Sequence, residues 1–185
     1  KELNEKIIQK IIMPTFEGLK NFKTSYKGFL YAGLMIIDNE PFLIEYNVRM
    51  GDPECQTILP KLKSDFSEIV NSCVNEKLDK IHFDWFDDKS LCIVLCSKGY
   101  PNKFENNIEI KNLENAMLKN NEFIFHAGTL QKDQKIYSNG GRVLNFVVKS
   151  NDFKNCRNQA IALINKINWQ SGFFRKDIGY KVIDK

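Results

Sequence analysis

Three polar side chains alternate along one short stretch of the sequence, and their chemistry suits a charged ligand. The stretch is LIEYNVRMGDPE, which runs from Leu43 to Glu54. Successive side chains of a β-strand point to opposite faces, so Glu45, Asn47 and Arg49 are predicted to share one face. A carboxylate, an amide and a guanidinium make a poor surface to bury and a good one for binding a polar ligand.

The same alternation divides the stretch into a polar face and an apolar face. The two sets are Leu43, Glu45, Asn47 and Arg49, and then Phe42, Ile44, Tyr46 and Val48. We expect the second set to pack in the core. A solvated outer face followed by an ordinary turn is the alternative for the first set, because polar-outward alternation is common in antiparallel sheets.

Oxygen donors two residues apart favour a magnesium site. Glu45 and Asn47 supply hard oxygen ligands, and Mg²⁺ is commonly bound by one or two protein carboxylates while substrate phosphates and waters complete its octahedron. Arg49 is predicted to reach the same charges, since a guanidinium can bind a phosphate or a carboxylate through two parallel hydrogen bonds.

The residues that follow add a permissive backbone position and two further carboxylates. Gly51 allows the backbone to approach a ligand closely. Asp52 and Glu54 flank Pro53 and could hold an ammonium group or accept a proton. Several polar groups thus meet at a strand end, beside a strand that reads as buried on both faces, and this favours a binding site over a plain solvated surface.

A bound nucleotide would also need a phosphate cradle. The sequence has no G-x-x-x-x-G-K-[ST] motif, which excludes a P-loop. The loop SNGGR, from Ser138 to Arg142, could bind an anion through its backbone N–H groups and the Arg142 side chain. A glycine-containing hairpin turn is the simpler interpretation of this loop.

Composition limits the classes of protein that fit. The 185 residues carry a net charge of +4 with both signs interspersed, and no basic run is long enough to predict a nucleic-acid arm. The longest apolar run, from Phe29 to Ile37, is too short to span a bilayer. Five cysteines without C-x-x-C spacing, and no N-terminal signal pattern, favour reduced thiols in a cytoplasmic protein.

The order of predicted elements indicates an α+β protein. An opening helix is expected to stop by Met13, because Pro14 disfavours helical geometry in the residue before it. The apolar run and the alternating strand form a predicted hairpin, and a second helix is expected from about Asp65 to Leu78. Residues 81–88 read as a linker between a first part, 1–80, and a strand-rich second domain, 89–185, whose last long helix spans about 152–167.

Motifs along nearly the whole chain resemble the phosphoribosylamine–glycine ligases, an ATP-grasp family of purine biosynthesis. The motifs are FLYAGLM, EYNVRMGDPECQ, ILPKLKSD, HAGT, SNGGRVL and FFRKDIGY. By this resemblance residues 1–80 form the last part of an ATP-grasp module, of antiparallel strands plus helices, and residues 89–185 form the small α+β C-terminal domain of the family. The family's N-terminal domain and the first part of its ATP-grasp module are expected to precede this sequence.

The resemblance implies a carbon–nitrogen ligase. ATP, glycine and 5-phosphoribosylamine would give glycinamide ribonucleotide, ADP and phosphate through a glycyl phosphate. Glu45 and Asn47 would bind Mg²⁺ or Mn²⁺. Arg49 would stabilise the transferred phosphoryl group or orient the glycine carboxylate, while Asp52 and Glu54 would anchor an amino group.

The resemblance also implies further binding residues. Gly51 and Arg142 would contact the nucleotide or substrate phosphates. Arg175 and Lys176 are additional candidates for the substrate phosphate, with solvated surface as the alternative.

The family's adenine pocket, lid and triphosphate-binding lysines would lie in the preceding part. We therefore expect this chain to be inactive alone, to require that part as its partner, and to belong to a monomeric enzyme. Two alternatives remain: another ATP-grasp carboxylate–amine ligase, and a non-catalytic binding module that kept the fold. The blocks RMGDPE and SNGGRVL argue against the first, and the intact polar set around Glu45 argues against the second.

Overall fold

The chain folds into two compact units in the computed structural model. The structure describes residues 2–22, 25–167 and 169–183. The first unit comprises Lys1–Gly51 and Ser64–Phe83, and the second comprises Asp52–Lys63 and Asp84–Lys185. The segment Asp52–Lys63 therefore belongs to the second unit, although it precedes the predicted linker.

The first unit contains an N-terminal helix, a β-hairpin and one further helix. Its elements are α1 (Glu2–Ile7), a π-turn (Ile8–Ile12), α2 (Met13–Lys20), β1 (Tyr31–Ile37), β2 (Glu40–Asn47), α4 (Phe66–Val74) and a 3₁₀ turn (Leu78–Lys80). Asp65 caps α4 by accepting hydrogen bonds from the backbone N–H groups of Ser67 and Glu68. The second predicted helix is thus confirmed with a shorter C-terminal end.

The predicted end of the first helix at Met13 is wrong. Helical backbone continues through Pro14 to Lys20, because the π-turn Ile8–Ile12 precedes the proline. In that turn the Met13 N–H donates to the carbonyl of Ile8, five residues earlier. The wider turn accommodates a residue that has no N–H and whose ring crowds the preceding turn.

β1 and β2 form the predicted antiparallel hairpin. Ile37 pairs with Glu40, and the two connecting residues, Asp38 and Asn39, both have positive φ values of 48° and 61°. Positive φ at both central residues is the geometry of a type I′ turn, whose twist matches that of the strands.

A β-bulge in β2 changes the predicted faces. Glu45 pairs with Gly33 but Leu43 pairs with Leu34, so Ile44 is an extra residue in the ladder. Leu43 consequently moves to the face of Tyr46, and Phe42 moves to the face of Glu45. The assignment of Leu43 and Phe42 from strict alternation was therefore wrong, because an inserted residue reverses the phase of every residue beyond it.

The prediction that the apolar residues of this hairpin are core is also wrong. Phe42 is 53% exposed and Val48 is 74% exposed. The last three residues of β1, Met35–Ile37, are exposed as well. The face of Tyr46 contacts α2, since the Tyr46 hydroxyl bonds to Thr15.

The second unit is built on a four-stranded antiparallel sheet with the order β4-β7-β3-β8. Its elements are α3 (Glu54–Ile58), a 3₁₀ turn (Leu59–Lys61), β3 (Lys89–Ser97), a 3₁₀ turn (Leu113–Asn115), β4 (Glu122–His126), β5 (Thr129–Lys132), β6 (Lys135–Ser138), β7 (Arg142–Ser150), α5 (Phe153–Ile167), β8 (Gly172–Phe173) and α6 (Tyr180–Ile183). β5 and β6 form a separate hairpin. The predicted last long helix is confirmed as α5.

The main core lies between α5 and the central strands of this sheet. Phe146 on β7 and Ile93 on β3 are almost fully buried, and Leu163 of α5 packs in the same cluster. The short helix α3 contacts β3 and β7 as well. The predicted α+β class is confirmed. Among the described residues, the helices are too short or too polar to cross a membrane.

Candidate functional site

The structure brings Glu45 and Asn47 together on one face of the hairpin. The Asn47 Nδ2 donates a hydrogen bond of 2.9 Å to Glu45 Oε1. Glu45 is exposed and Asn47 is half-buried. The pair therefore presents a carboxylate and an amide side by side near the end of β2, as the alternation predicts.

Gly33 creates the space in which the Glu45 side chain lies. The two residues are directly paired across the hairpin. A Cβ atom at position 33 would lie 3.1 Å from Glu45 Cγ, which is tighter than ordinary van der Waals contact. The absence of a side chain at Gly33 thus helps to set the direction of the Glu45 carboxylate.

The donor set of this pair fits a hard divalent cation. A carboxylate and an amide oxygen are ligands that Mg²⁺ accepts, with waters or phosphates at the remaining positions. Within the described part of the chain, no group of three or more His, Cys, Asp or Glu side chains could hold a metal ion.

Arg49 and Gly51 follow the pair in the first unit. The exposed Arg49 guanidinium donates a hydrogen bond of 2.9 Å from Nη1 to the carbonyl of Met50. Gly51 is buried. Arg49 thus uses one of its five N–H donors on the adjacent backbone and has others available for an anion.

In the second unit, Arg142 binds the carboxylate of Asp52. Arg142 Nη2 lies 2.7 Å from Asp52 Oδ2, and Nη1 donates to the Asp52 carbonyl at 3.1 Å. Gln56 Nε2 donates to the other carboxylate oxygen, Oδ1, at 2.8 Å. Each oxygen of the Asp52 carboxylate is therefore bound by one side chain. Arg142 lies 90 residues away in the sequence, and Gln56 lies four residues away.

Glu54 lies in the first turn of α3 and is half-buried. The Glu54 carboxylate is close enough to Cys92 on β3 to affect the pKa of its thiol. Burial raises the pKa of the Cys92 thiol to about 12, and the carboxylates of Asp52 and Glu54 act in the same direction. A thiol with so high a pKa stays protonated at neutral pH.

The SNGGR loop is not a hairpin turn. It connects β6 to β7, which belong to different sheets. The Asn139 N–H donates to the Gly128 carbonyl at 2.7 Å. A Cβ atom at Gly128 would lie 2.9 Å from the Cα of Gly140, so the HAGT and SNGGR motifs pack directly on each other. Their glycines serve this close approach of two backbones.

The two basic candidates near the C-terminus are exposed. Arg175 Nη2 lies 2.6 Å from the Asp177 carboxylate, and this pairing lowers the pKa of the Asp177 carboxyl. Lys176 borders a cavity of about 310 Å³ beside Trp169 and Gly172. Arg175 is thus paired with a neighbouring carboxylate in its own segment.

Sequence reasoning missed three residues that support the site. Gly33 makes room for Glu45, Gln56 holds Asp52, and Lys149 binds the Pro60 carbonyl at 2.8 Å. The spacing of Gln56 four residues after Asp52 is a helical signal that could have indicated the first pair. No local pattern links Lys149 with Pro60.

Comparison with known proteins matches both parts of the chain to one family. The model described as phosphoribosylglycinamide synthetase, ATP-grasp (A) domain, matches residues 1–55. The model described as phosphoribosylglycinamide synthetase, C domain, matches residues 90–181. Models of one family therefore match both parts of the chain, the first by its ATP-grasp domain and the second by its C domain.

Individual relatives agree with these matches. The phosphoribosylamine–glycine ligase of Fusobacterium nucleatum is 41% identical over 97% of this chain, and that of Caldanaerobacter subterraneus is 43% identical over 96%. The crystal structure of phosphoribosylamine–glycine ligase from Thermotoga maritima superposes with a TM-score of 0.75 at 31% identity, covering 96% of this chain and 43% of that one.

The chain belongs to the phosphoribosylglycinamide synthetase family. It spans about 42% of the length of the two bacterial ligases named above.

Proposed function

We propose that this chain is part of an enzyme that joins glycine to 5-phosphoribosylamine. ATP transfers its γ-phosphoryl group to the glycine carboxylate, giving ADP and glycyl phosphate. The amine of phosphoribosylamine then attacks the acyl carbon and displaces phosphate, so that an amide bond forms and glycinamide ribonucleotide results. The observation that carries the proposal is the 2.9 Å contact between the Glu45 and Asn47 side chains on one hairpin face.

Glu45 and Asn47 are the proposed ligands of Mg²⁺ or Mn²⁺. Their carboxylate and amide oxygens match the preference of these cations for hard ligands. When bound, the cation would supply positive charge that offsets the negative charge of the nucleotide phosphates. The hydrogen bond between the two side chains and the space at Gly33 orient the carboxylate before any ligand arrives.

Arg49 is the proposed catalytic cation. Its guanidinium is exposed, and only one of its N–H donors bonds to the Met50 carbonyl. A group of this kind stabilises negative charge on a transferred phosphoryl group or orients a substrate carboxylate. Gly51 is the proposed point at which the backbone approaches the nucleotide.

Asp52 and Glu54 are the proposed anchors of a substrate amino group. The Asp52 carboxylate accepts hydrogen bonds from Arg142 and Gln56, and each carboxylate oxygen can accept a second one. Arg142 is the proposed contact for a phosphate, through the N–H donors that do not bond to Asp52. Its ion pair with Asp52 keeps the guanidinium plane fixed for that contact.

We propose that residues 1–80 belong to the ATP-grasp module, residues 81–88 link it onward, and residues 89–185 form the C-terminal domain of the enzyme. The remaining ATP-grasp residues would supply the adenine pocket and the rest of the triphosphate contacts. The enzyme is expected to act as a cytoplasmic monomer, and the 185-residue chain alone is expected to be inactive.

The test compares Glu45→Gln with Glu17→Gln in the full-length polypeptide that contains this chain. Release of phosphate that requires both glycine and phosphoribosylamine is expected in the unaltered enzyme. Glu45→Gln should lower kcat by roughly a hundredfold or more. The substitution removes the negative charge of a proposed metal ligand and thereby weakens the stabilisation of the transferred phosphoryl group. Glu17 is an exposed residue of α2 and serves as the control for loss of a carboxylate. Unchanged kcat at saturating Mg²⁺ would remove Glu45 from the site, and turnover with another amine in place of phosphoribosylamine would indicate a different ligase.

A further inference from the structure

Two cations from a single strand bind the two ends of the segment Asp52–Lys63. Arg142, at the start of β7, holds Asp52. Lys149, near the end of β7, donates from Nζ to the Pro60 carbonyl at 2.8 Å. This segment carries Asp52 and Glu54 of the RMGDPE motif and lies in the second unit.

Lys149 is an unusual residue for its position. It is only 8% exposed, and the three residues before it on β7, Phe146–Val148, are fully buried apolar side chains. Burial of an ammonium group is unfavourable unless the charge is compensated. Lys149 obtains this compensation from the Pro60 carbonyl and from the Phe86 ring, whose centroid lies 4.0 Å from Nζ.

The Pro60 carbonyl is a suitable acceptor because of where it lies. Pro60 belongs to the 3₁₀ turn Leu59–Lys61 that directly follows α3. The last carbonyls of a helical segment have no intrahelical partner and carry partial negative charge. A cation at this end of the segment is therefore electrostatically favourable.

Backbone hydrogen bonds complete the attachment of the segment. The Lys63 N–H donates to the Asp84 carbonyl at 2.8 Å, and the Phe86 N–H donates to the Lys61 carbonyl at 2.8 Å. The ring of Phe86 is thus held over Lys149 by the same strand-like contact that fixes the end of the segment. Lys149 lies where the sheet, the segment and residues 84–86 meet.

We propose that Lys149 is a positioning residue, which pins the segment Asp52–Lys63 to the sheet and thereby sets the placement of Asp52 and Glu54. The catalytic consequence of this inference rests on the proposed function, whereas the pinning itself does not. Lys149 contacts no proposed substrate group and acts through the segment. Its effect should therefore appear in kcat more than in the KM for ATP.

The first test is hydrogen exchange measured by mass spectrometry on the full-length polypeptide that contains this chain. In Lys149→Met the amides of residues 54–63 and 84–87 should exchange at least about tenfold faster, as expected when a hydrogen bond to a charged group is lost. The amides of α5 should stay within about twofold of the unaltered protein. Lys166→Met, at an exposed position of α5, is the matched control and should change neither region. Lys149→Arg keeps the charge and the donors, so it should restore most of the protection.

The second test is steady-state kinetics with the same variants. Lys149→Met should lower kcat by roughly tenfold to a hundredfold, as expected for a misplacement of catalytic groups by about 1 Å, while the KM for ATP changes less than about twofold. Unaltered exchange in residues 54–63 would overturn the inference, and so would equally faster exchange in α5. If the unaltered enzyme shows no ligase activity, the proposed function fails, and the exchange data alone decide whether Lys149 pins the segment.

A second variant decides the matter if Lys149→Met does not fold. Phe86→Leu removes the ring over the ammonium group and leaves Lys149 in place. Loss of this contact should accelerate exchange in residues 54–63 by about threefold or more. Exchange equal to that of the unaltered protein would count against the role of Lys149.

Discussion

At the scale of single residues, the direction of the Glu45 carboxylate depends on the absence of a side chain at Gly33. Gly33 pairs with Glu45 across the hairpin, and the side chain of Glu45 occupies the space above it. Asn47 then holds one carboxylate oxygen at 2.9 Å. Metal ligands that are oriented in this way by their surroundings bind more tightly than the same ligands on a mobile side chain.

Replacing Gly33 by Ala should weaken binding at the metal site that we propose on the hairpin. The new Cβ would lie 3.1 Å from Glu45 Cγ, so the glutamate has to move by a few tenths of an ångström. We expect the affinity for Mn²⁺ to fall about tenfold, the lower end of the effect of altering groups that orient metal ligands. The affinity can be measured by calorimetric titration of the protein with Mn²⁺.

Gly18→Ala is the matched control for this substitution. Nothing lies within 4 Å of a Cβ added at Gly18, which is in α2. This variant should bind Mn²⁺ like the unaltered protein. Equal affinity in the two glycine variants would show that Gly33 does not orient Glu45.

At the scale of elements, local rules predicted the hairpin but not which face each side chain of β2 lies on. The apolar run, the Asp38-Asn39 turn and the alternating strand were enough to predict β1 and β2. The extra residue at Ile44 has no sequence signal, because a bulge depends on how two strands twist together. Glu45 and Asn47 kept their shared face since both lie beyond the bulge.

The N-terminal helix shows a second limit of local rules. Pro14 is a helix-breaking residue by itself, and the prediction of an end at Met13 followed from that property. The structure instead widens the preceding turn into a π-turn.

Contacts between residues that lie far apart in the sequence could not be predicted from any local pattern. Examples are the contacts of Lys149 with Pro60 and of Arg142 with Asp52.

The contact of the N-terminal helix with β2 predicts a pH-dependent stability of the first unit. Hydrogen bonds from Lys10 and then from Lys6 lower the pKa of the Glu40 carboxyl from 4.5 to about 2. A carboxyl whose pKa is lower in the folded state stabilises the fold above its unfolded pKa, and this stabilisation is lost as the pH falls towards the folded pKa. The relevant window therefore extends from about pH 4.5 down to about pH 2.

Glu40→Gln should lower the melting temperature of the first unit at pH 7, and the difference from the unaltered protein should vanish as the pH approaches 2. Lys10 is exposed, and Lys6 and Glu40 are partly exposed, so salt should reduce the difference as well. Thermal unfolding at several pH values and two salt concentrations is the measurement. Glu5→Gln, on the exposed surface of α1, is the control and should leave the melting temperature unchanged. A difference that persists undiminished at pH 2 would contradict the assignment.

At the scale of the whole molecule, the two units differ in how much apolar surface they bury. The buried apolar cluster of the described residues lies in the second unit, between α5 and its sheet. In the first unit, large apolar side chains of the hairpin such as Met35, Phe42 and Val48 are more than half exposed. Sequence patterning predicted core at these positions because it measures hydrophobicity and not the presence of a covering element. An exposed apolar face of this kind is typical of an interaction surface.

Two phenylalanines on strands, one in each unit, allow a direct test of this difference in the 185-residue chain. Phe146 on β7 is 0% exposed, whereas Phe42 on β2 is 53% exposed. Phe146→Ala should lower the free energy of unfolding by about 3–5 kcal/mol, because it removes a packed ring and leaves a cavity. Phe42→Ala should change that free energy by no more than about 0.5 kcal/mol, the usual size for a surface position. Urea unfolding, followed by hydrogen exchange of β2 and β7 separately, measures both effects. A cost for Phe42→Ala comparable to that for Phe146→Ala would mean that the Phe42 face of the hairpin is covered when the chain is folded in solution.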